Sequence, residues 1–349
     1  MFCGIIPDDL LKKIGDKQSL EISKQLRTLR EERLEILNLP NPEPHVEIRA
    51  LYDAKTKLTG GDLLRFDRQT HGATAIGSTP ELQMFNIVYD FLHDNVQRES
   101  FDNHNSAMKI YKNVGVNYNN AFWDGDRFAF GNGDQETFRT FWIQNIASHE
   151  AMHAVTEWVA GLKYQGEAGA LNEHISDVFA ACVDQFKANQ KPEEASWLVG
   201  DGVWMGHING VALRTFKDEL AYNDTWVGRD PQGKHMRDYI YTRKDNGGVH
   251  LNSGIPNHAF YQFCIITGLE SWTVPFSIWY NALNICRPDE TFAQFANHTM
   301  DVCPTEYKGK LNEAWAKVGI IPSPRIITEN PITKVFRYII SFIKQLCVK

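Results

Sequence analysis

The sequence of 349 residues lacks the features that mark several large protein classes. Its six cysteines are scattered and form no C-x-x-C pair, so their spacing indicates neither a disulfide framework nor a cysteine-rich structural zinc site. No apolar run reaches the roughly 18 residues that a transmembrane helix needs. Acidic residues outnumber basic ones, 43 to 36, so the chain has no basic excess with which to bind nucleic acid.

The first residues also lack the pattern of an ordinary signal peptide. They read Met-Phe-Cys-Gly-Ile-Ile-Pro, with neither a basic segment nor a long apolar one, so export by that route is not expected from the sequence itself. With 43% hydrophobic and 23% charged residues, the chain is typical of a globular protein in one large or two medium domains.

Hydrophobic periodicity differs between the two halves of the chain. Alternating segments in the first half predict strands at 46–52, 108–114 and 127–131, with a helix at 81–95 between them. From Thr137 to Val318 the period is mostly that of a helix. The longest predicted helical runs are 137–160, 171–189, 256–268 and 290–303. The pattern therefore predicts an α+β fold whose second half is chiefly helical.

Proline clusters separate both ends of the chain from its middle. Residues 8–38 are charged and favour helix, and the prolines that follow them indicate a linker. At the other end, residues 332–349 are apolar with basic residues interspersed. That composition suits a helix on a membrane surface or on a partner, and equally a terminal helix docked on its own protein. The predicted units are 1–48, 49–165, 166–322 and 323–349.

The most informative motif is His149-Glu150-Ala-Met-His153. Two histidines four residues apart on a helix are separated by about 40° around its axis, so both imidazoles project from one face and can bind one metal ion. Glu150 lies about 100° from His149. Its carboxylate is therefore expected to flank the metal and to remove a proton from a water molecule there.

A second motif supplies the remaining ligand. After nineteen intervening residues, Glu173 follows His153 on a second predicted helix. Two histidines and one glutamate with an open fourth position are typical of a catalytic zinc site. Asp177 lies one turn beyond Glu173, where it can accept the free ring N–H of a liganding histidine. His174 points about 100° away from Glu173 and is interpreted as a solvated or packed histidine.

The third cluster is Asp245-Asn-Gly-Gly-Val-His250-Leu-Asn-Ser-Gly254. Its glycines let the backbone approach another group closely, and the acid five residues before His250 indicates an oriented, protonatable imidazole. Such a group can stabilise an oxyanion.

Together the motifs resemble the thermolysin family of zinc metallopeptidases over roughly residues 50–320. The matching segments are Asn120-Ala-Phe-Trp-Asp-Gly, Ser148-His-Glu-Ala-Met-His-Ala-Val-Thr, Gly161-Leu-Lys-Tyr-Gln, Gly169-Ala-Leu-Asn-Glu-His-Ile-Ser-Asp, Ala212-Leu-Arg and the glycine-flanked His250 segment. The resemblance implies a two-lobed fold, with a β-rich N-terminal lobe, a mainly helical C-terminal lobe and the zinc site in the cleft between them.

The resemblance also implies roles for individual residues. Zinc is expected on His149, His153 and Glu173, with Glu150 as the general base. The other implied roles are oxyanion donors (Tyr164 and His250), orientation of His250 (Asp245), pairing with the substrate backbone (Asn120 and Ala121), binding of the carbonyl after the scissile bond (Arg214) and walls of an apolar pocket (Leu213 and Ile146).

The implied activity is that of a neutral endopeptidase that cuts peptides and proteins before bulky hydrophobic residues. The chain is expected to be a monomer. Secretion is carried over from the family, and a cytoplasmic location is the alternative.

The chain departs from the family at the calcium ligands. The corresponding positions are Asn145, Asp184, Ser196, Leu198 and Asp201. Only the two aspartates carry a carboxylate, whereas calcium takes about six to eight oxygen ligands. At most a partial calcium site is therefore expected near Asp184 and Asp201. The spacer between Arg214 and His250 is also longer than usual, so the cleft wall on that side is not defined by the resemblance.

The N-terminal segment beginning Cys3-Gly-Ile-Ile-Pro7 looks like the short propeptide of the protealysin-like branch of the family. A thiolate is a good zinc ligand, so Cys3 is a candidate for the fourth zinc position in an inactive precursor, and a packed thiol is the alternative. Removal of about residues 1–48 is then expected to activate the enzyme.

A function of another class is a catalytically degenerate binding protein with a peptidase fold, attached to a membrane or a partner by its C-terminal tail. The motif set argues against it, because a binding module has no need of Glu150.

Overall fold

The computed structural model describes residues 3–36, 48–68 and 79–322. The predicted linker prolines and the segment 323–349, including the apolar tail at 332–349, lie outside the described residues. The helices are α1 (Asp8–Lys13), α2 (Lys17–Ile36), α3 (Pro80–Val96), α4 (Gln144–Val159), α5 (Gly166–Ala188), α6 (Asp245–Asn252), α7 (Gly254–Thr267), α8 (Val274–Leu283), α9 (Phe292–Val302) and α10 (Lys308–Lys317). The strands are β1 (Cys3–Gly4), β2 (Ile48–Asp53), β3 (Asp62–Arg68), β4 (Met108–Lys112), β5 (Ala121–Trp123), β6 (Phe128–Phe130), β7 (Leu198–Val199), β8 (Arg214–Thr215), β9 (Asn223–Asp224) and β10 (Gly228–Arg229).

The N-terminal lobe is built on a six-stranded sheet in the order β1-β5-β6-β4-β2-β3. Strand β4 runs parallel to β2 and β6, and the other pairs are antiparallel. Strands β5 and β6 are buried on both faces, which explains why their sequences, AFW and FAF, are apolar without alternation. Helix α3 packs against the sheet through Phe85, whose ring lies 5.0 Å from that of Phe128.

Two long helices, α4 and α5, form the floor between the lobes. Every residue of α4 from Asn145 to Thr156 is buried, so this helix has no polar outer face over that length. The predicted run 137–160 is helical only from Gln144, because Phe138 instead bridges Trp204 and Ile143 has an extended backbone. A Cβ atom on Gly169 would lie 2.4 Å from Val249, so glycine permits the close approach of α5 to α6.

The helical lobe consists of α6 to α10 around a cluster of aromatic side chains. Trp279 of α8 stacks on Trp315 of α10, with ring centroids 5.7 Å apart, and it also contacts Phe260 of α7 and Phe295 of α9. One side chain thereby joins four helices. The predicted runs 256–268 and 290–303 correspond to α7 and α9. The predicted two-lobed α+β fold is confirmed.

The N-terminal residues pack on the first lobe. Strand β1 pairs with β5 at the edge of the sheet, with Cys3 opposite Trp123. Arg27 of α2 donates two hydrogen bonds to Asp8 of α1, at 2.9 and 2.7 Å, and thereby holds the two helices together. Ser23 of α2 lies within hydrogen-bond distance of the Tyr118 hydroxyl, 3.0 Å away.

No helix within 3–36, 48–68 or 79–322 combines the length and the apolar character needed to cross a membrane.

Candidate active site

Helices α4 and α5 bring three metal-binding side chains together. Ligand atoms of His149, His153 and Glu173 all lie within 4.8 Å of one another, and all three side chains are buried. The two histidine Nε2 atoms are 2.9 Å apart, and each lies 3.3 to 3.4 Å from an oxygen of Glu173. The two motifs that the sequence separates by nineteen residues therefore converge on one point.

The donor set fits a divalent cation. Nδ1 of His153 contacts the amide oxygen of Asn172 at 2.6 Å, and Nδ1 of His149 lies 2.9 Å from Asp177. When these outer nitrogens carry the protons, both Nε2 atoms present lone pairs to each other. Oε2 of Glu173 is buried with no hydrogen-bond partner among the described groups. Three electron-pair donors that face one another in a dry interior are suited to hold a cation between them, and zinc prefers this combination.

Asp177 is fixed from the opposite side by Arg214. The guanidinium donates two hydrogen bonds to the carboxylate, at 2.9 and 2.7 Å, and both side chains are buried. Burial raises the pKa of Asp177, but the interactions with Arg214 and His149 together outweigh this effect and hold the pKa below its ordinary value. Asp177 therefore stays ionised beside His149.

Glu150 lies on α4 next to the ligands but does not join them. Its side chain is fully buried, and neither carboxylate oxygen has a hydrogen-bond partner among the described groups. Burial raises its pKa to about 8. In its ionised form this carboxylate is therefore a stronger base than an ordinary glutamate, which suits it to accept a proton from a water molecule.

Tyr164 and His250 lie on the other side of the ligands. The Tyr164 hydroxyl donates to Glu173 and is 3.2 Å from Nε2 of His250. Asp245 holds His250 through the ring Nδ1 at 2.6 Å and the backbone N–H at 2.8 Å. Burial lowers the pKa of His250, but the carboxylates of Glu173 and Asp245 outweigh it and raise the pKa to about 9. Both ring nitrogens therefore act as donors near neutral pH.

The backbone conformation of the turn that begins at Asp245 explains why glycines follow it. Gly247 and Gly248 have φ angles of 87° and 81°, in the left-handed region. Residues Asp245 to Gly248 therefore form a left-handed turn, and regular helix begins only afterwards. This turn directs both oxygens of Asp245 back towards His250.

The N-terminal segment Gly4–Ile6, which begins at the end of β1, lies in the cleft. Nε2 of His250 is 3.0 Å from the carbonyl oxygen of Gly4, and Arg214 donates to the carbonyl of Ile5 at 3.1 Å. The N–H of Ile5 donates to the carbonyl of Ala121 at 3.2 Å. Asn120 accepts from the N–H of Ile6 at 2.9 Å and donates to its carbonyl at 3.2 Å.

The side chain of Ile5 is fully buried beside a small cavity. Leu213 and Arg214 line this cavity. Ile146 of α4 is also buried, but it lies in the hydrophobic core and is not among the cavity-lining residues.

Some site residues were missed by the sequence analysis. Tyr222, Asp230 and Gln232 line the cavity, and all belong to the long spacer between Arg214 and His250. Asp230 holds this segment by accepting from the backbone of Ala221 at 3.0 Å. The extra length of the spacer was the only signal of their contribution, and it did not say which side chains face the cleft.

Cys3 is described only by its backbone, which pairs with Trp123. Its thiol lies outside the described part of the structure.

At the expected calcium site, the side-chain amide of Asn145 joins the neighbouring parts of the structure by hydrogen bonds. Asn145 of α4 donates to Asp184 of α5 at 3.0 Å and accepts from the backbone of Gly200 at 3.0 Å. Among the described residues, no third carboxylate, histidine or thiol joins Asp184 and Asp201 at ligating distance. Burial raises the pKa of Asp184 to about 6.

Known proteins are similar to this chain in both sequence and fold. The family described as the catalytic domain of thermolysin metallopeptidases matches residues 52–157, and its alpha-helical domain matches residues 160–320. An extracellular metalloprotease of Pectobacterium carotovorum is 35% identical over 91% of this chain and 96% of its own length. Protease PrtS of Photorhabdus is 34% identical over 90% of this chain and 86% of its own.

A solved structure is similar over nearly the whole chain. The precursor of protealysin, a metalloproteinase from Serratia proteamaculans, has a TM-score of 0.79 and 35% identity, covering 91% of this chain and 99% of that one.

Fold and site together define a zinc-dependent metalloendopeptidase, a hydrolase that acts on peptides and proteins. The chain belongs to the thermolysin family of metallopeptidases.

The buried carboxyl of Asp184 generates a prediction about stability. The pKa of about 6 in the folded protein lies above the ordinary aspartate value of 3.8, so the folded state binds this proton more tightly than the unfolded state. The resulting stability is present below about pH 4 and is lost as the pH rises through about 6. Replacing Asp184 by Asn keeps an acceptor for Asn145 and removes the charge. We expect the variant to be more stable than the parent by roughly 1 to 3 kcal/mol at pH 7.

Urea unfolding of both proteins between pH 4 and pH 7.5 measures the difference. The advantage of Asp184→Asn should shrink towards zero at the acidic end, whereas metal loss affects both proteins alike. A difference that does not change with pH would contradict the assignment.

Proposed function

We propose that the protein is a secreted, monomeric neutral endopeptidase, made as a zymogen, that cuts before bulky hydrophobic residues. The observation that carries the proposal is the N-terminal segment Gly4–Ile6, which makes the contacts expected of a bound substrate. Its hydrogen bonds go to Asn120, Ala121, Arg214 and His250.

The strand also indicates the register of a substrate. His250 faces the carbonyl of Gly4, and Arg214 faces the next carbonyl, that of Ile5. The peptide bond between Gly4 and Ile5 therefore takes the place of the bond to be cut, and Ile5 takes the place of the residue after it. The full burial of Ile5 beside Leu213 supports a preference for a bulky apolar side chain at that position.

The proposed reaction assigns one task to each side chain. Zinc held by His149, His153 and Glu173 would supply a Lewis acid for the scissile carbonyl and for a water molecule. Glu150 removes the proton from this water and returns it to the leaving amine. Tyr164 and His250 donate hydrogen bonds to the oxygen as it gains negative charge, and Asp245 keeps His250 oriented and protonated. Asp177 orients His149.

The uncleaved precursor is inactive because its own N-terminal residues occupy the cleft. Residues 3–36 block the substrate groove, and the pair Arg27–Asp8 holds their two helices together. We place the end of the prosegment near residue 48, where β2 begins, so removal of about residues 1–48 opens the cleft. The remaining units are 49–165, 166–322 and the tail from 323. Cys3 stays a proposed fourth zinc ligand of the latent form.

Secretion rests on the names of similar proteins, among them the extracellular metalloprotease of Pectobacterium. A degenerate binding protein is not favoured, because the complete set of ligands, Glu150 and His250 is assembled. A quenched-peptide assay of the processed protein, with and without a zinc chelator, separates the two functions. Peptide hydrolysis that the chelator abolishes supports the peptidase, and no hydrolysis in either sample contradicts it.

The role of Glu150 predicts the effect of Glu150→Gln. The amide cannot accept the proton of water, so we expect turnover to fall by a factor of roughly 10² to 10⁴. Zinc content should stay at the parent level, because Glu150 is not a ligand. Metal analysis and peptide kinetics on the processed protein check both points. Near-native turnover would refute the assignment.

The role of His250 predicts the effect of His250→Ala. Loss of one donor to the developing oxyanion should lower turnover about 100-fold or more, with zinc retained. His298→Ala is a suitable control, since His298 is also a buried histidine of the helical lobe and pairs with Glu290 away from the cleft. Unchanged casein cleavage by His250→Ala would show that this histidine has no oxyanion role.

If the prosegment blocks the cleft, replacing Gly4 should leave the uncleaved precursor partly active. A Cβ atom on residue 4 would lie 2.5 Å from Nδ2 of Asn120, so Gly4→Ala must displace either residue 4 or the Asn120 side chain, which pairs with Ile6. We expect the uncleaved precursor to hydrolyse a fluorogenic peptide about 10-fold faster or more, a loss of roughly 1.4 kcal/mol of inhibitory contact.

Lys24→Ala is the control for this variant, because Lys24 is an exposed residue of α2 in the same prosegment. Mass spectrometry confirms that the precursor stays intact. If Gly4→Ala is as latent as Lys24→Ala, the strand does not block the cleft.

A further inference from the structure

His174 follows the zinc ligand Glu173 on α5 but points into the helical lobe. Its side chain is fully buried, and both ring nitrogens have partners on other helices. Nε2 accepts from the indole N–H of Trp279 on α8 at 2.8 Å, and Nδ1 contacts the amide oxygen of Asn257 on α7 at 2.7 Å. Buried polar groups are normally hydrogen-bonded, and these two contacts satisfy both ring nitrogens of His174.

The chemistry of these groups fixes the direction of every hydrogen bond. An indole N–H can only donate, so Nε2 of His174 must be the acceptor and Nδ1 must carry the proton. The amide of Asn257 must then present its oxygen to His174. Its nitrogen is left to donate to Oδ2 of Asp177, which it does at 2.9 Å. One donor at Trp279 thereby sets the orientation of Asn257.

Asp177 connects this series of hydrogen bonds to the zinc site. Its other oxygen lies 2.9 Å from Nδ1 of His149. Arg214 also binds Asp177, but Arg214 donates to the carbonyl of Ile5 as well, so a peptide in the cleft shares it. Asn257 is fully buried and its amide is engaged at both ends inside the protein. It therefore offers Asp177 a donor that no substrate shares.

We propose that Trp279, His174 and Asn257 are positioning residues of the zinc site. Acting in series, they hold the carboxylate of Asp177 in place beside Nδ1 of His149. The aromatic core of the helical lobe is thereby tied to the metal ligands through three hydrogen bonds and the close contact between Asp177 and His149. The inference rests on the zinc site of the proposed function but not on its peptidase activity.

The first test compares two tryptophans of the same aromatic cluster. Trp279→Phe and Trp315→Phe each remove one buried indole N–H and leave an aromatic ring, but Trp315 donates to Thr299 and not towards the zinc site. Zinc affinity of the full chain is measured by competition with a chromophoric chelator, together with the visible spectrum of the cobalt-substituted protein.

We expect Trp279→Phe to raise the Kd for zinc several-fold and to shift the cobalt bands, because partners of metal ligands typically contribute 10- to 100-fold and this residue acts through others. Trp315→Phe should leave both readouts at the parent values, although its melting temperature falls. Equal zinc Kd values for the two variants would overturn the proposal.

The second test uses His174 itself. His174→Phe keeps a ring but loses both polar contacts, and we expect the Kd for zinc to rise about 10-fold or more. His174→Gln offers an oxygen to Trp279 and an N–H to Asn257, so it should restore the Kd to within about 3-fold of the parent. If His174→Gln binds zinc as weakly as His174→Phe, or if both bind it like the parent, the relay is refuted.

The readouts keep this proposal separate from the enzymatic one. Zinc affinity can be measured whether or not the protein hydrolyses peptides, so failure of the peptidase assay leaves the relay test intact. If His174→Phe does not fold, the comparison of Trp279→Phe with Trp315→Phe still decides.

Discussion

The structure depends on one electrostatic constraint: three electron-pair donors face one another in an interior that excludes water. The Nε2 atoms of His149 and His153 lie 2.9 Å apart, next to the carboxylate of Glu173. Burying such groups without compensation costs several kcal/mol each. Other buried charges of the cleft are compensated by protein groups, Asp177 by Arg214 and His250 by Asp245. The ligand atoms of His149, His153 and Glu173 lie close enough together to hold a divalent cation as well, and the rest of the cleft is arranged around that site.

The fold meets this constraint by placing the ligands on two buried helices and the donors on a rigid turn. Helices do not easily shift their side chains, so α4 and α5 fix the ligands without help from a loop. The left-handed turn at Asp245 to Gly248, which belongs to the helical lobe, then fixes His250. The N-terminal strand completes the cleft with the backbone contacts that a substrate would make. Binding and inhibition thus use the same hydrogen-bonding groups.

Much of the site could be predicted because its spacing is local. Two histidines four apart on a helix must share a face, and Asp177 must lie one turn from Glu173. The fold class followed from the change in periodicity after residue 137. The start of α4 did not, because Phe138 pairs with Trp204, a contact that no local pattern encodes. The placement of Gly4 to Ile6 opposite His250 and Arg214 is likewise tertiary. His174 shows the same limit, since a buried histidine reads from sequence as either solvated or packed until Trp279 and Asn257 are brought beside it.

Metal dependence of hydrolysis tests the central claim most directly. Purified, processed protein should contain about one zinc ion per chain, lose peptide hydrolysis when a chelator removes it, and recover hydrolysis when zinc is returned. His153→Ala should fail to retain the metal and to recover. Hydrolysis that persists in metal-free protein, or zinc that binds equally well without His153, would contradict the account.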